Sequence, residues 1–435
     1  MSWSIRKINY PKINSILLIL LGFFVTISTS ISTIICLLFF VSWIMSSDYK
    51  IKKILNNHIS IYVIFFLIYF LINNFFSNSN LWNKTVEKQL YLLLLPILFS
   101  MEIKSKDINK SKKAFVLGII INIFLSTATL LTPNNSFIKK GHYAQEFFLH
   151  GFLDHFDYSI FLCFSLILIL STQLFRTKSI IFWSLCIVSF VTLLNSYGRV
   201  GILASIVFLP IILLWFKPNL SKVIVFTIFT LTIIISCFSY TPFQNRASET
   251  IKSLRWLYNP PEMNEKIYLN AKYMASKTDS VDIEGFTEKI LNDPHWLNDI
   301  KNKKPEYETS IGKRYLFMKN SLELILKKPI AGHGVNKFEQ VYNSYFVHKE
   351  KLKHPHNNFL FILVELGLIG LILMLCIFIK QIKIYFENNK KNNLQIIFPF
   401  FFLFIMLFDN YFFNHNTLIF FCLFSFILYQ PKINK

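Results

Sequence analysis

Twelve continuous apolar runs of roughly spanning length dominate this chain, at about 13–29, 30–46, 58–76, 88–102, 114–132, 156–175, 179–195, 199–216, 223–240, 357–379, 394–409 and 415–430. Hydrocarbon offers the backbone no hydrogen-bond partners, so only helices or closed barrels can cross it. A barrel needs alternating strands of about ten residues, and unbroken apolar runs are the wrong pattern for it. Each run is therefore expected to be a helix, and the first has no small-residue cleavage site after it, so it reads as a retained helix. Composition agrees: 53% of the residues are hydrophobic, only 16% are charged, and phenylalanine alone occurs 48 times. A soluble protein of 435 residues would have no core large enough for so much apolar surface. The expected fold class is an all-α polytopic membrane protein of about 12 transmembrane helices.

The net charge of +21 invites a nucleic-acid reading, which its distribution rejects. Seven segments (the N-terminus, 47–57, 103–113, 175–178, 217–222, 380–393 and the C-terminus) hold 21 Lys and Arg, and the short loops of opposite parity hold five. That alternation follows the positive-inside rule and predicts both termini in the cytoplasm. The other 19 basic residues share 241–356 with 14 acidic ones. A mixed, mildly basic segment fits a large, mainly helical loop on the opposite face. The expected organisation is a block of about nine helices over 1–240, an outer loop domain over 241–356, and three helices over 357–435. All six cysteines fall inside apolar runs, which leaves no disulfide framework or cysteine metal site in the loop.

Within the loop, RYLFMKNSLELILKK (314–328) aligns Tyr315, Met318, Leu322, Ile325 and Leu326 on one helical face. Ser310 is expected to cap this helix, Pro329 to stop it, and its face to pack on the membrane domain rather than lie on the bilayer. Short helices are expected near 247–257 and 264–277, with a break at Asn259-Pro260-Pro261 and an acidic turn at 279–284.

Nine of the ten histidines lie on the outer side or at outer helix ends; His58 alone does not. The sharpest candidate is His356 in HPHNNFLFILVELGLIG (354–370), where Pro355 holds an extended approach and Asn357 and Asn358 open a helix. An imidazole there can take a proton from a hydroxyl, although an interfacial histidine bonded at a helix end is the simpler reading from composition alone. Arg199 in NSYGRVG opens a span, where a guanidinium either snorkels or meets an anion such as phosphate. Gly198 and Gly201 would permit close approach. Arg314 stands near a helix start that favours anions, though a solvated arginine is the simpler reading. Gly332, His333 and Gly334 form a Gly-x-Gly turn, a weak phosphate signal. His155 and Asp157 are placed at the outer mouth of the sixth helix, where sugar hydroxyls could be bound. His354 and His356 with His348, or the HGFLDHFDY run, contain metal-ligand types, but no complete spacing stands out and no metal or cofactor is expected.

Three of these elements in order resemble the O-antigen ligase and polymerase superfamily of bacterial membrane glycosyltransferases. They are SYGRVG with Arg199, then Arg314 followed by a helix and KKPIAGHGVNKF, then His356-Asn357 followed by nine residues and Gly367-Leu368-Ile369-Gly370. The last is the most specific, and the pattern leaves His354 unexplained. The resemblance covers about 190–375, and the first 150 residues only through their hydropathy. It implies a C-type, metal-independent and inverting glycosyltransferase of the bacterial inner membrane, active on the periplasmic face. The donor would be a glycan on undecaprenyl diphosphate and the acceptor a lipid A-core sugar. His356 would act as general base, Arg199 and Arg314 would hold diphosphate, and Asn357, His354, His333, Gly332, Gly334, Tyr197, His155 and Asp157 would contact substrate. A polymerase joining lipid-linked repeats shares most of this signal. A transporter of lipid-linked sugars would instead place charges near the midplane, whereas these spans are almost free of them.

Overall fold

A computed structural model of the chain describes residues 9–46, 51–77, 82–131, 152–172, 180–196, 198–215, 220–239, 241–277, 282–302, 309–346, 352–388 and 392–430. Among the described residues every regular element is helical. The helices run α1 (Tyr10–Phe24), α2 (Thr29–Met45), α3 (Ile51–Leu55), α4 (His58–Phe76), α5 (Lys84–Leu90), α6 (Leu94–Ser100), α7 (Ser105–Leu131), α8 (His155–Ser171), α9 (Ile180–Leu194) and α10 (Arg199–Pro210). They continue with α11 (Leu220–Ser239), α12 (Thr241–Tyr258), α13 (Met263–Lys277), α14 (Ile283–Asn292), α15 (Pro294–Asn302) and α16 (Ser310–Lys327). The last four are α17 (Phe338–Tyr345), α18 (Asn358–Glu387), α19 (Asn393–Ile405) and α20 (His415–Tyr429).

Three helices are long and apolar enough to cross a membrane by length and composition: His58–Phe76, Ser105–Ala128 and Asn358–Glu387. Seven further apolar helices of 10–17 residues coincide with other apolar runs of the sequence. The run at 88–102 differs. It is divided into α5, a 3-10 turn over Tyr91–Leu93, and α6, so it is no single apolar helix. Its head is polar, and Asn83 caps α5 by accepting the N–H groups of Thr85 and Val86 at 3.0 Å. Side-chain caps of this kind, also present at Ser28, Asn57, Asn357 and Asn392, each contribute about 1 kcal/mol.

The chain divides into two compact units, 1–231 with 323–435, and 232–322. In the first, α1 lies along α7, α4 along α18, and α8 along α10. Helix α20 is buried from Asn416 to Tyr429, as expected of a helix apolar on every side. Its phenylalanines interlock with those of α8 and α19; ring centroids lie 4.7 Å apart for Phe164–Phe424 and 4.8 Å for Phe402–Phe421. Each such pair contributes about 0.5–1.5 kcal/mol beyond its buried area, which accounts for the phenylalanine-rich composition here. By contrast Phe65, Ile68, Ile72 and Phe75 on α4 are exposed, as side chains meeting lipid would be.

The second unit has its own small core of Ile267, Ala271, Ile290 and Ile300 from α13, α14 and α15. Helices α12 and α13 realise the two expected short helices, and the Asn259-Pro260-Pro261 break separates them. Residues 279–281 of the expected acidic turn lie outside the described residues; Asp282 then caps α14, accepting the Gly285 N–H at 2.8 Å. Helix α16 stops before Pro329 as expected, but its start is capped by Thr309, whose Oγ1 accepts the Gly312 N–H at 3.0 Å, and not by Ser310. Its expected packing face is also corrected. Tyr315, Met318, Leu322 and Leu326 are exposed, while Asn320, Ser321 and Leu324 are buried. The buried stripe is partly polar, so hydrophobicity alone selects the wrong side.

Candidate active site at the head of α18

Two asparagines tie the start of α18 to the α19–α20 turn. Asn357 accepts the Leu360 N–H at 3.0 Å as N-cap and donates to Leu407 O at 3.1 Å. Asn358 donates its backbone N–H to Met406 O at 2.9 Å, accepts the Phe412 N–H at 3.0 Å, and donates its amide to Asn410 Oδ1. The turn is thereby fixed against the helix head, and Asp409 is brought to the histidines. Asp409 Oδ2 lies 3.3 Å from His356 Nδ1, and Asp409 Oδ1 lies 3.6 Å from His354 Nδ1. The two imidazoles meet edge to face with centroids 4.5 Å apart.

Burial pushes the His354 imidazole down to about 4, against the pull of the Asp409 charge. His354 is therefore neutral at pH 7, and its Nδ1 is buried with no hydrogen-bond partner among the described residues. Burial pushes the Asp409 carboxyl up, but the His356 hydrogen bond and the two imidazole charges outweigh it, so it sits below the ordinary carboxylate value. An ionised Asp409 accepts the Nδ1–H of His356, and that tautomer leaves the ring's lone pair on Nε2. His356 itself has φ of 52°, a left-handed backbone uncommon outside glycine. Strain of about 1–3 kcal/mol at such residues persists only where the surroundings impose it, and here the Asn357 and Asn358 bonds do so.

Beside the histidines opens a cleft of about 760 Å³, within the range of small-molecule sites. Lys84 and Lys88, one turn apart on α5, and Lys353 line it with His354, Asn410 and Glu365. Sequence reasoning missed these lysines because the apolar run at 88–102 was taken as a span beginning at the second of them. It also missed Asp409. The available signal was a carboxylate at the end of the 394–409 run, just before the short break that leads into the last run, on the same side as His356 by helix count.

The Gly332-His333-Gly334 turn has a structural use. Helix α18 is broken at Gly367, with φ 65° and ψ −165°, a region that side chains essentially exclude. The turn supplies the missing partners: His333 N–H donates to Val364 O at 2.7 Å and Gly334 N–H to Glu365 O at 2.9 Å. In return Leu368 N–H donates to Pro329 O at 2.8 Å and Ile369 N–H to Ile330 O at 3.2 Å. Tyr69 donates its hydroxyl to Leu366 O at 2.9 Å. Non-helical backbone at membrane depth is tolerated only when protein satisfies it in this way. His333 is engaged further through Nε2, 2.9 Å from Leu324 O. The turn's amides thus face α18, not a phosphate.

The remaining expected site residues lie elsewhere. Arg199 is the first residue of α10, exposed, directly after the Gly198 N-cap. Gly201 faces α8 so closely that a Cβ would stand 2.3 Å from Ser159 O, so it serves helix packing. Asp157 is buried and accepts amide bonds from Asn414 at 3.1 Å and Asn416 at 3.2 Å, which lock α8 to the head of α20. His155 begins α8, but its side chain, like Tyr197 and His348, lies outside the described residues. Arg314 is half-buried on α16 in the 232–322 unit.

Residues 184–375 match the family model described as O-Antigen ligase. Over that stretch, less than half of its length, the chain is similar to that family. The family match takes in Arg199, Arg314, the 329–335 turn and the His356–Gly367 helix, and ends before Asp409. Among curated proteins, one named "Putative polysaccharide ligase" from Rickettsia felis is 40% identical over 87 residues. One of like name from Rickettsia conorii is 40% identical over 77 residues. These matches span 18% and 16% of this chain, and 20% and 18% of the respective relatives.

Proposed function

We propose that the chain is a membrane glycosyltransferase of the O-antigen ligase type, with about twelve crossings of a bacterial inner membrane, both termini cytoplasmic and the α18 head facing the periplasm. The observation that carries this reading is the buried Asp409 held 3.3 Å from Nδ1 of His356 beside a lysine-lined cleft. The donor is a glycan on undecaprenyl diphosphate and the acceptor a sugar hydroxyl of lipid A-core. Nε2 of His356 takes the proton from the acceptor hydroxyl. The oxygen attacks the anomeric carbon from the face opposite the leaving group, and the sugar–phosphate bond breaks with inversion, releasing undecaprenyl diphosphate. Charge grows on that diphosphate, and preorganised cations stabilise it most where water is scarce. Lys84, Lys88 and Lys353 surround the cleft for that task, and Arg199 and Arg314 are assigned to it by the family pattern. The same chemistry would serve a polymerase; only the acceptor differs.

Asp409 acts through His356 as a positioning residue. In purified protein given lipid-linked donor and core acceptor, Asp409→Asn is expected to lower kcat by ~10–100-fold, the usual cost of losing an orienting partner. KM for both substrates should hold, and the pH profile of kcat should move. An unchanged kcat and profile would remove Asp409 from the mechanism.

His354, His356 and Asp409 form the one grouping among the described residues whose ligand atoms, all within 4.8 Å of one another, could hold a divalent cation. Diphosphate is already a good leaving group, and cationic side chains neutralise it, so the proposed reaction needs no metal. Transfer by protein treated with EDTA is expected to equal the untreated rate. A rate abolished by EDTA and restored by zinc or manganese would turn the three residues into a metal site.

A further inference from the structure

A second polar pocket, of about 480 Å³, lies at the other end of the same unit. It is lined by the heads of α4, α7 and α19 and by the tails of α18 and α20, through Asn57, Asn109, Lys112, Lys380, Asn392 and Gln430 among others. Roughly 30 Å of α18 separates Lys380 from the His356 end, at 1.5 Å per residue. Among the described residues no aspartate or glutamate lines this pocket. Its electrostatic sense is therefore cationic, with amide donors set around two lysines.

Lys112 decides what the pocket suits. It is only 9% exposed, yet it has no ion-pair or hydrogen-bond partner among the described residues. Its stem is buried and its ammonium borders the pocket without an acceptor among the described residues, an arrangement that costs free energy unless a ligand supplies one. The neighbouring Lys380 reaches Glu387 at 3.5 Å, whereas Glu387 is half-exposed and outside the lining. Asn57 and Asn392 spend their carbonyl oxygens as helix caps, on Ser60 N–H and Leu394 N–H, and so offer the pocket their amide donors. Lys106 and Lys113 on the same end of α7, and Lys104 just before it, add long-range attraction for anions, while Lys110 is paired with Asp107 at 3.1 Å.

We infer that this pocket binds a phosphate group, with Lys112 as its principal counter-charge. Phosphate carries several acceptor oxygens and negative charge, matching one unpaired ammonium ringed by N–H donors. Basic pockets between membrane helices take lipid headgroups in this manner, and free inorganic phosphate presents the same chemistry. The inference does not depend on the His356 reaction.

Full-length protein in detergent would be titrated with phosphatidylglycerol and with diacylglycerol, which lacks the phosphate, and bound lipid counted by native mass spectrometry. The wild type is expected to hold phosphatidylglycerol at least ~10-fold more tightly than diacylglycerol. Lys112→Gln should abolish that preference and Lys112→Arg should keep it. Displacement of the lipid by inorganic phosphate identifies a small-anion site, and resistance to displacement a headgroup site; both support the inference. A wild type without the preference, or a Lys112→Gln protein that retains it, overturns it. Should Lys112→Gln fail to fold, Asn109→Leu, on an exposed position of α7, is expected to weaken the preference, and an unaltered preference there counts against the site.

Discussion

Purified, properly inserted protein carrying His356→Ala is expected to transfer glycan ~10²–10⁴-fold more slowly than the wild type, the usual loss when a general base is removed. The size of the effect follows from the way the side chain is held. Its Nδ1 is bonded to a buried carboxylate, its backbone is forced to φ of 52°, and the helix behind it is stitched to the α19–α20 turn. None of those devices is needed to fill space with an imidazole. Alanine also carries the left-handed strain without any compensating contact, so the variant's folding must be checked separately. Asparagine, which tolerates that backbone region better, provides the check: His356→Asn should fold at least as well as alanine and be equally inactive. The same assay with intact lipid-linked donor measures both. Transfer within a few-fold of wild type by either folded variant would show that His356 is not the base.

The largest expected effect on stability comes from Gly367→Ala. A Cβ at this position would stand 2.2 Å from Ile330 O and 2.6 Å from Gly332 N, both backbone atoms that cannot swing away. The backbone conformation alone costs about 1–3 kcal/mol for a residue with a side chain. Escape by straightening α18 would strand the groups now paired with the 329–335 turn, at about 1–3 kcal/mol for each one left buried and unsatisfied. Either route exceeds roughly 3 kcal/mol, a large part of the stability of an ordinary domain. Thermal unfolding in detergent should show Gly367→Ala far below the wild type, or little folded protein at all. A melting point indistinguishable from wild type would mean that the break is not imposed by the glycine.

Much of this architecture is legible in the sequence. The long apolar runs became helices because little else can satisfy a backbone in an apolar surrounding, and Pro329 ended α16 because its ring cannot continue a helix. His356 was legible because a polar His/Asn cluster interrupts an apolar pattern. Asp409 was not, since it lies 53 residues further along and becomes a partner only when Asn358 pins the turn that carries it. Two glycines one turn apart, as in the Gly367-x-x-Gly370 step, commonly mark a helix-packing surface. Here the first glycine instead breaks the helix, which depends on a positive φ and on the turn at 329–335 arriving to complete the bonds. Gly332 and Gly334 misled for a related reason, because a Gly-x-Gly turn has the same sequence whether its amides face a phosphate or a broken helix. Lys84 and Lys88 were hidden by a hydropathy window that merged a short polar helix with the apolar segment after it.

Cells in which His356→Ala replaces the wild-type chain at equal abundance give the decisive comparison, through their surface glycolipids and their lipid-linked glycans. Bare core on the surface lipid beside accumulated long glycan on polyprenyl diphosphate is the expected result. Core carrying its full glycan would contradict the assignment of the site, and core carrying a single repeat would contradict ligation in favour of polymerisation.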